Sequence, residues 1–184
     1  MGLKTSPLIC CKNLKGAIME KKDKVLMINP EKCTGCRLCE LVCAVKHDGA
    51  SNPARSRIRV MKWEMDGVYI PMACQQCQDA PCMGVCPAHA ISRNDELNKI
   101  EVDYNKCIGC RSCVAVCPFG AMGFNSIDRK VFKCDLCDGD PQCARFCDVQ
   151  AVEYKEVDDV AILKKQEAAK KLYATSHKVA LKEA

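Results

Sequence analysis

The sequence predicts an α+β chain in which one unit of short β-hairpins and cysteine-bearing loops is used twice, followed by a C-terminal helix. Three observations carry that prediction. Sixteen of the 18 cysteines fall into four quartets. Residues 29–42 return as 103–116 at an offset of 74, with Lys32/Lys106, Gly35/Gly109, Arg37/Arg111 and three cysteines in step, and Cys43/Cys117 follow at the same offset. Beyond Val149 the composition turns to Lys, Glu and Ala, with neither Pro nor Gly.

The 184 residues suffice for one domain or two small intertwined ones. With one Trp, four Tyr and four Phe, much of the 48% hydrophobic content is cysteine. A core so poor in large apolar residues needs staples: disulfides, zinc or iron–sulfur clusters. Only Pro-Leu-Ile precedes Cys10, no twin arginine occurs, and no run approaches the roughly 18 apolar residues of a membrane span. The expectation is a soluble, cytoplasmic protein without membrane insertion, whose reduced thiols disfavour a disulfide framework.

In chain order, residues 1–23 read as an N-terminal extension containing Pro7 and the pair Cys10 and Cys11, which fit no cluster spacing and are assigned as free thiols. Met19 is a candidate natural start, with 1–18 otherwise a mobile extension. A short strand is expected at 25–28. The first quartet, Cys33, Cys36, Cys39 and Cys43, is spaced C-x2-C-x2-C-x3-C. Residues 56–60 then alternate polar and apolar, and Asp66-Gly67 supplies a turn into 68–70, predicting a hairpin packed across the first loop. Trp63, the lone Trp, is assigned an ordinary packing role in preference to shielding a cluster.

The second quartet, Cys74, Cys77, Cys82 and Cys86, has a longer central spacer and ends in Cys86-Pro87. Strands at 90–91 and 99–102, joined by the polar turn 94–98, lead to the third quartet, Cys107, Cys110, Cys113 and Cys117, followed by Pro118. A hairpin around 121–125 and 130–133 brings in the fourth, Cys134, Cys137, Cys143 and Cys147. Tight and loose runs thus alternate, twice. The cluster-bearing region is bounded at 24–155. The tail, 156–184, reads as a helix with Asp158 or Asp159 as N-cap and only a weak apolar stripe, either solvated or a docking arm.

Three cysteines within seven residues suit a cubane with four iron corners, whereas one tetrahedral zinc gains nothing from that crowding. Closed four-thiolate ligation fits one-electron transfer and leaves no iron vacancy for substrate. Gly35 and Gly109 would permit the tight turn and let backbone N–H groups approach sulfur. Arg37 and Arg111 could tune a potential, steer a partner or be solvated residues at helix starts. His47, His89 and His177 stand apart, without paired carboxylates or a nucleophile, and are assigned surface or packing roles. No phosphate-binding or dinucleotide loop and no haem attachment site occurs. Four cubanes at about −2 each would take the formal +5 to about −3, removing the case for nucleic acid.

Residues 24–155, through the four quartets, the 56–60 strand and the Gln76–Cys86 stretch, resemble the four-cluster 4Fe-4S electron-transfer subunits of molybdenum and tungsten bis-pterin oxidoreductases. Relatives of this kind include the iron–sulfur subunits of dimethyl sulfoxide reductase, formate dehydrogenase and carbon monoxide dehydrogenase systems. The short chain looks most like small subunits of tungsten aldehyde:ferredoxin oxidoreductase-type enzymes, including tungsten benzoyl-CoA reductase. The resemblance implies two pseudo-symmetric ferredoxin-like modules and four 4Fe-4S clusters whose ligands cross between quartets. Cys147 would join Cys33, Cys36 and Cys39, and Cys43 would join Cys134, Cys137 and Cys143. Likewise Cys117 would join Cys74, Cys77 and Cys82, and Cys86 would join Cys107, Cys110 and Cys113. It implies a non-catalytic subunit between a tungsten or molybdenum pterin catalytic subunit and a second carrier, a ferredoxin or a flavin/NAD subunit. Alternatives are a free-standing polyferredoxin and a subunit of a carbon monoxide dehydrogenase, hydrogenase or formate dehydrogenase complex. The fourth quartet departs from that pattern in its short central spacer and in Asp148, which stands where Pro87 and Pro118 follow Cys86 and Cys117.

Overall fold

The computed structural model describes residues 23–180. Cys10, Cys11 and the candidate start at Met19 lie outside them. Among the described residues, eight short strands pair into four two-stranded antiparallel sheets, and five helices and three 3-10 turns carry the loops between them.

The first strand, β1 (Lys24–Ile28), pairs with β8 (Val152–Glu156), so the sheet joins the two ends of the core. The strand β8 is absent from the sequence expectations above, although Val-Glu-Tyr-Lys-Glu alternates in burial-competent fashion. Helix α1 (Leu38–Asp48) follows the first loop. The hairpin β2 (Ile58–Trp63) and β3 (Val68–Ala73) turns at 64–67, as Asp66-Gly67 predicts, and delivers Cys74. The short helix α2 (Pro81–Gly84) precedes the hairpin β4 (Ile91–Asn94) and β5 (Lys99–Val102). After α3 (Ser112–Val116), the hairpin β6 (Gly123–Asn125) and β7 (Lys130–Phe132) leads to Cys134. Helix α4 (Gln142–Arg145) lies in the fourth quartet, and β8 runs into α5 (Val157–Ala180).

The strand pairing has a simple logic. The strand leading into each tight run pairs with the strand trailing a loose run: β1 with β8, and β5 with β4. One further bond extends each ladder at the same relative place, Asn29 N–H to the Ala151 carbonyl at 2.8 Å and Asp103 N–H to the Ala90 carbonyl at 2.7 Å. Tight and loose loops are thereby brought together in two pairs. Helix α1 packs on α4, and α2 on α3.

The buried side chains divide accordingly. One group holds Ala80, Cys82, Ile91, Ile100, Cys113, Met122 and Val131. The other holds Cys43, Ile58, Ala73, Cys143 and Val152. Both are small, and cysteine is a member of each, so the thin apolar core inferred from composition is real. Glu40 ties α1 to the first hairpin: it is 1% exposed, accepts the Val60 N–H at 2.7 Å and pairs with Arg37 at 2.6 Å.

Two expectations are corrected. Trp63 is 50% exposed near the tip of its hairpin, because β2 buries only Ile58 and Val60 and then runs out into solvent. Asp158 and Asp159 lie inside the first turn of α5 and do not cap it, since β8 feeds directly into the helix at Val157. Their carboxylates still suit the positive end of the helix dipole. Among the described residues, no helix is long and apolar enough to cross a membrane.

Candidate metal centre

All sixteen quartet cysteines are unbridged. Cys43, Cys82, Cys113, Cys134 and Cys143 are buried, Cys36 and Cys110 are exposed, and the other nine are half-buried. The two exposed sulfurs are the second cysteines of the two tight loops.

The loops share one backbone device. The residue before the second cysteine is left-handed in all four: Gly35 (φ 71°), Gln76 (φ 49°), Gly109 (φ 68°) and Leu136 (φ 57°). At Gly35 and Gly109 the reason for glycine extends beyond φ. A Cβ on Gly35 would stand 2.5 Å from the Tyr69 ring, and one on Gly109 would stand 2.1 Å from the Arg129 carbonyl oxygen. Each tight loop is therefore covered by the hairpin that follows it, as expected for the first. Arg37 and Arg111 are also left-handed and immediately precede α1 and α3. Arg37 reaches back to Glu40, and Arg111 stacks on Phe124 at 3.8 Å, so both have structural partners.

A second device serves the last cysteine of three of the quartets. The N–H groups of Ala90, Ala121 and Ala151 donate to the sulfurs of Cys86 (3.3 Å), Cys117 (3.4 Å) and Cys147 (3.2 Å). In each case the residue before the alanine is left-handed: His89, Gly120 and Gln150. That turn closes with an N–H to the cysteine carbonyl at 3.1, 3.2 and 3.0 Å respectively. The Cys147 turn is made with Asp148 where the others have proline, so proline is dispensable to it. Cys43 cannot use the turn because α1 continues to Asp48; the Arg57 N–H donates to it instead, at 3.3 Å.

The thiols crowd one another across the quartets. Burial pushes the Cys143 thiol up, and Cys134, Cys43, Cys137 and Cys39 push it further. Burial raises Cys134 to about 12, Cys39 to about 12 and Cys113 to about 11. Cys82 is raised by burial, then by Cys74, with Cys117 adding to it. Cys110 is the exception: the Ser112 hydroxyl, 3.5 Å away, holds it down. Protonated, half-dry thiols packed this closely gain from a cation among them, which converts them to thiolates and reverses the repulsion. Cys43 acts on Cys137 and Cys143, and Cys117 on Cys82; Cys39 also acts on Cys143, Cys82 on Cys113 and Cys74 on Cys134, so neighbouring sets crowd one another as well. The donor set is all sulfur and the sulfurs accept backbone N–H groups, which fits an iron–sulfur cluster.

One functional group has no signature in the sequence. His47 Nε2 lies 3.6 Å from Cys137 Sγ and 3.5 Å from Asp135 Oδ1, although His47 and Cys137 are 90 residues apart. Arg57 closes the network by pairing with Asp135. Burial and then Arg57 lower the His47 pKa. His89 is exposed, and His177 lies within α5.

Fold and thiol arrangement together define a cysteine-ligated iron–sulfur protein. Comparison with known proteins agrees. Residues 65–140 match a 4Fe-4S dicluster domain and residues 26–43 a 4Fe-4S binding domain. The chain is 40% identical over 122 residues to the polyferredoxin-like subunit of aliphatic sulfonate oxidoreductase from Pyrococcus furiosus, covering 66% of this chain and 70% of that one. It is 42% identical over 151 residues to the putative electron transport protein YsaA of Escherichia coli, covering 75% and 93%. Among solved structures it is similar to a chain of the active-site complex BamBC of benzoyl coenzyme A reductase, at 29% identity and a TM-score of 0.45 over 72% of this chain and 76% of that one. The protein belongs to the family of 4Fe-4S ferredoxin-like electron-transport subunits.

Proposed function

We propose that the protein is a non-catalytic electron-transfer subunit, relaying single electrons through four 4Fe-4S clusters between a catalytic oxidoreductase subunit and a second redox carrier. The observation that carries the reading is the pairing of loops: β1–β8 and α1–α4 unite the first quartet with the fourth, and β4–β5 and α2–α3 unite the second with the third. That arrangement supports ligand sets that cross. Cys33, Cys36, Cys39 and Cys147 form one set, and Cys134, Cys137, Cys143 and Cys43 its neighbour. Cys74, Cys77, Cys82 and Cys117 form the third, and Cys107, Cys110, Cys113 and Cys86 the fourth. On this reading residues 24–155 are two pseudo-symmetric modules, 1–23 an extension and 156–184 a helical tail.

When bound, each cluster supplies one-electron oxidation and reduction. The chain's own residues do the rest. The backbone N–H groups of Arg57, Ala90, Ala121 and Ala151 stabilise thiolate sulfur, and the buried side chains exclude water. Cys36 and Cys110, both exposed, bring two of the sites to the surface, where electrons can enter and leave. The Pyrococcus relative is named as a subunit of an oxidoreductase, which supports a catalytic partner here. A tungsten or molybdenum pterin subunit in the cytoplasm is our choice, with a ferredoxin or flavin/NAD subunit as second carrier. Native purification from anaerobically grown cells tests this. The expected result is co-elution with a pterin-containing chain that the reduced subunit re-reduces; a protein found alone, exchanging electrons only with soluble carriers, would make it a free polyferredoxin.

A further inference from the structure

Two lysines are almost fully buried, and they are treated differently. Lys99 has carboxylate partners, Glu101 at 2.8 Å and Asp138 at 2.5 Å. Lys133 is 3% exposed and, among the described residues, makes no ion pair within salt-bridge distance. Its Nζ meets three neutral acceptors: the carbonyl oxygens of Ile100 and Cys134, the latter at 2.7 Å, and the amide oxygen of Gln76 at 3.3 Å. An ammonium has three N–H donors, and here each finds an acceptor. Three acceptors for three donors leave the lysine head fully hydrogen-bonded.

A buried cation without a counter-charge is costly, and hydrogen bonds to neutral oxygens only partly offset the lost hydration. Asp135, Asp138 and Glu101 line the same cavity, but Asp135 is paired with Arg57 and the other two with Lys99, which leaves the thiolates of the adjoining quartets as counter-charge. Lys133 immediately precedes Cys134, and Gln76 sits between Cys74 and Cys77 in the second quartet. Gln76 also holds the two loops together, donating to the Cys134 carbonyl at 2.9 Å and accepting the Ile100 N–H at 2.8 Å. Through Gln76 and the Cys134 carbonyl, Lys133 lies against the second and fourth quartets at once.

We propose that Lys133 is a fixed buried cation shared by two cluster sites, the one built on Cys74, Cys77 and Cys82 and the one built on Cys134, Cys137 and Cys143. It offsets their negative charge and raises both reduction potentials above what a neutral side chain would give. The inference rests on the ligand sets proposed above. Each site takes one electron from an external one-electron donor, and no proton moves at Lys133. Reduction makes a cluster more negative, so a fixed positive charge stabilises the reduced form of both neighbours while leaving the two more distant sites little changed.

The test is a dithionite titration of anaerobically purified holoprotein, followed by electron paramagnetic resonance with an iron count, on wild type, Lys133→Met and Lys133→Arg. The expected result is wild-type iron in all three, with two of four midpoint potentials lowered in Lys133→Met and all four near wild type in Lys133→Arg. A Met variant in which none moves, or all four fall together, overturns the proposal. Fewer than four centres in the wild type would instead overturn the ligand sets. Should the Met variant hold less iron, Lys133→Gln decides: two lowered midpoints, or loss of iron that Lys133→Arg does not share, sustains the role of charge. Unmoved midpoints in Lys133→Gln, or equal failure of the Gln and Arg variants, refutes it.

Discussion

Replacing Gly109 by alanine should be among the most damaging one-methyl changes in the protein. Gly109 is left-handed at φ 68°, and the new Cβ would stand 2.1 Å from the Arg129 carbonyl oxygen. The left-handed backbone alone costs a non-glycine residue about 1–2 kcal/mol. Forced overpacking adds about 1–3 kcal/mol, at the upper end here because the obstacle is backbone in the β6–β7 turn. Together these give about 2–5 kcal/mol. Gly35 shares the backbone cost, but its obstacle is the Tyr69 ring, 2.5 Å from the would-be Cβ, and a side chain can swing aside. Gly84 is the control. Nothing lies within 4 Å of its would-be Cβ and it sits in α2, so alanine there should be neutral or stabilising by up to about 1 kcal/mol. The assay is anaerobic denaturant unfolding of holoprotein, read as cluster absorbance together with iron per chain. The expected order of stability is Gly84→Ala, Gly35→Ala, Gly109→Ala, falling in that sequence. Gly109→Ala unfolding with wild type, or after Gly35→Ala, would refute the reasoning.

Three further outcomes are expected. Cys43→Ala and Cys143→Ala should remove the same spectroscopic centre and Cys39→Ala a different one; a centre shared by the Cys39 and Cys43 variants would contradict the crossing. Glu40→Leu should cost about 2–3 kcal/mol in denaturant unfolding, because the Val60 N–H loses a charged acceptor in a buried place, and a variant as stable as wild type would contradict that role. Stripping iron with a chelator should abolish cooperative unfolding, since both buried groups contain cysteines; an apo-protein melting as sharply as the holoprotein would show that the apolar side chains suffice.

The features legible in the sequence were local. Asp66-Gly67 marks its hairpin because the turn chemistry lies in two adjacent residues, and the repeat marks the tight loops because cysteine, glycine and arginine recur at fixed spacing. The strand β8 carried a readable alternation, but its partner β1 lies at the opposite end of the core, and the Lys- and Glu-rich tail beyond it obscured the boundary. Trp63 shows the limit of composition. A lone Trp suggests core, yet its place on the strand is set by where β2 leaves the protein. The left-handed Gln76 and Leu136 give no signal, since neither residue type favours that conformation and only the surrounding loop imposes it. The His47–Asp135–Cys137 group and the buried Lys133 are tertiary creations. His47 read as a surface or packing residue and Lys133 as the end of a strand, and their chemistry exists only because distant loops meet.

The central claim is that sixteen thiols form four one-electron sites, and anaerobic coulometric reduction of the purified protein with a parallel metal analysis tests it most directly. The account expects about 16 iron and about four electrons per chain, with no stoichiometric zinc. Zinc in place of iron, or half that iron with only two electrons taken up, would contradict it.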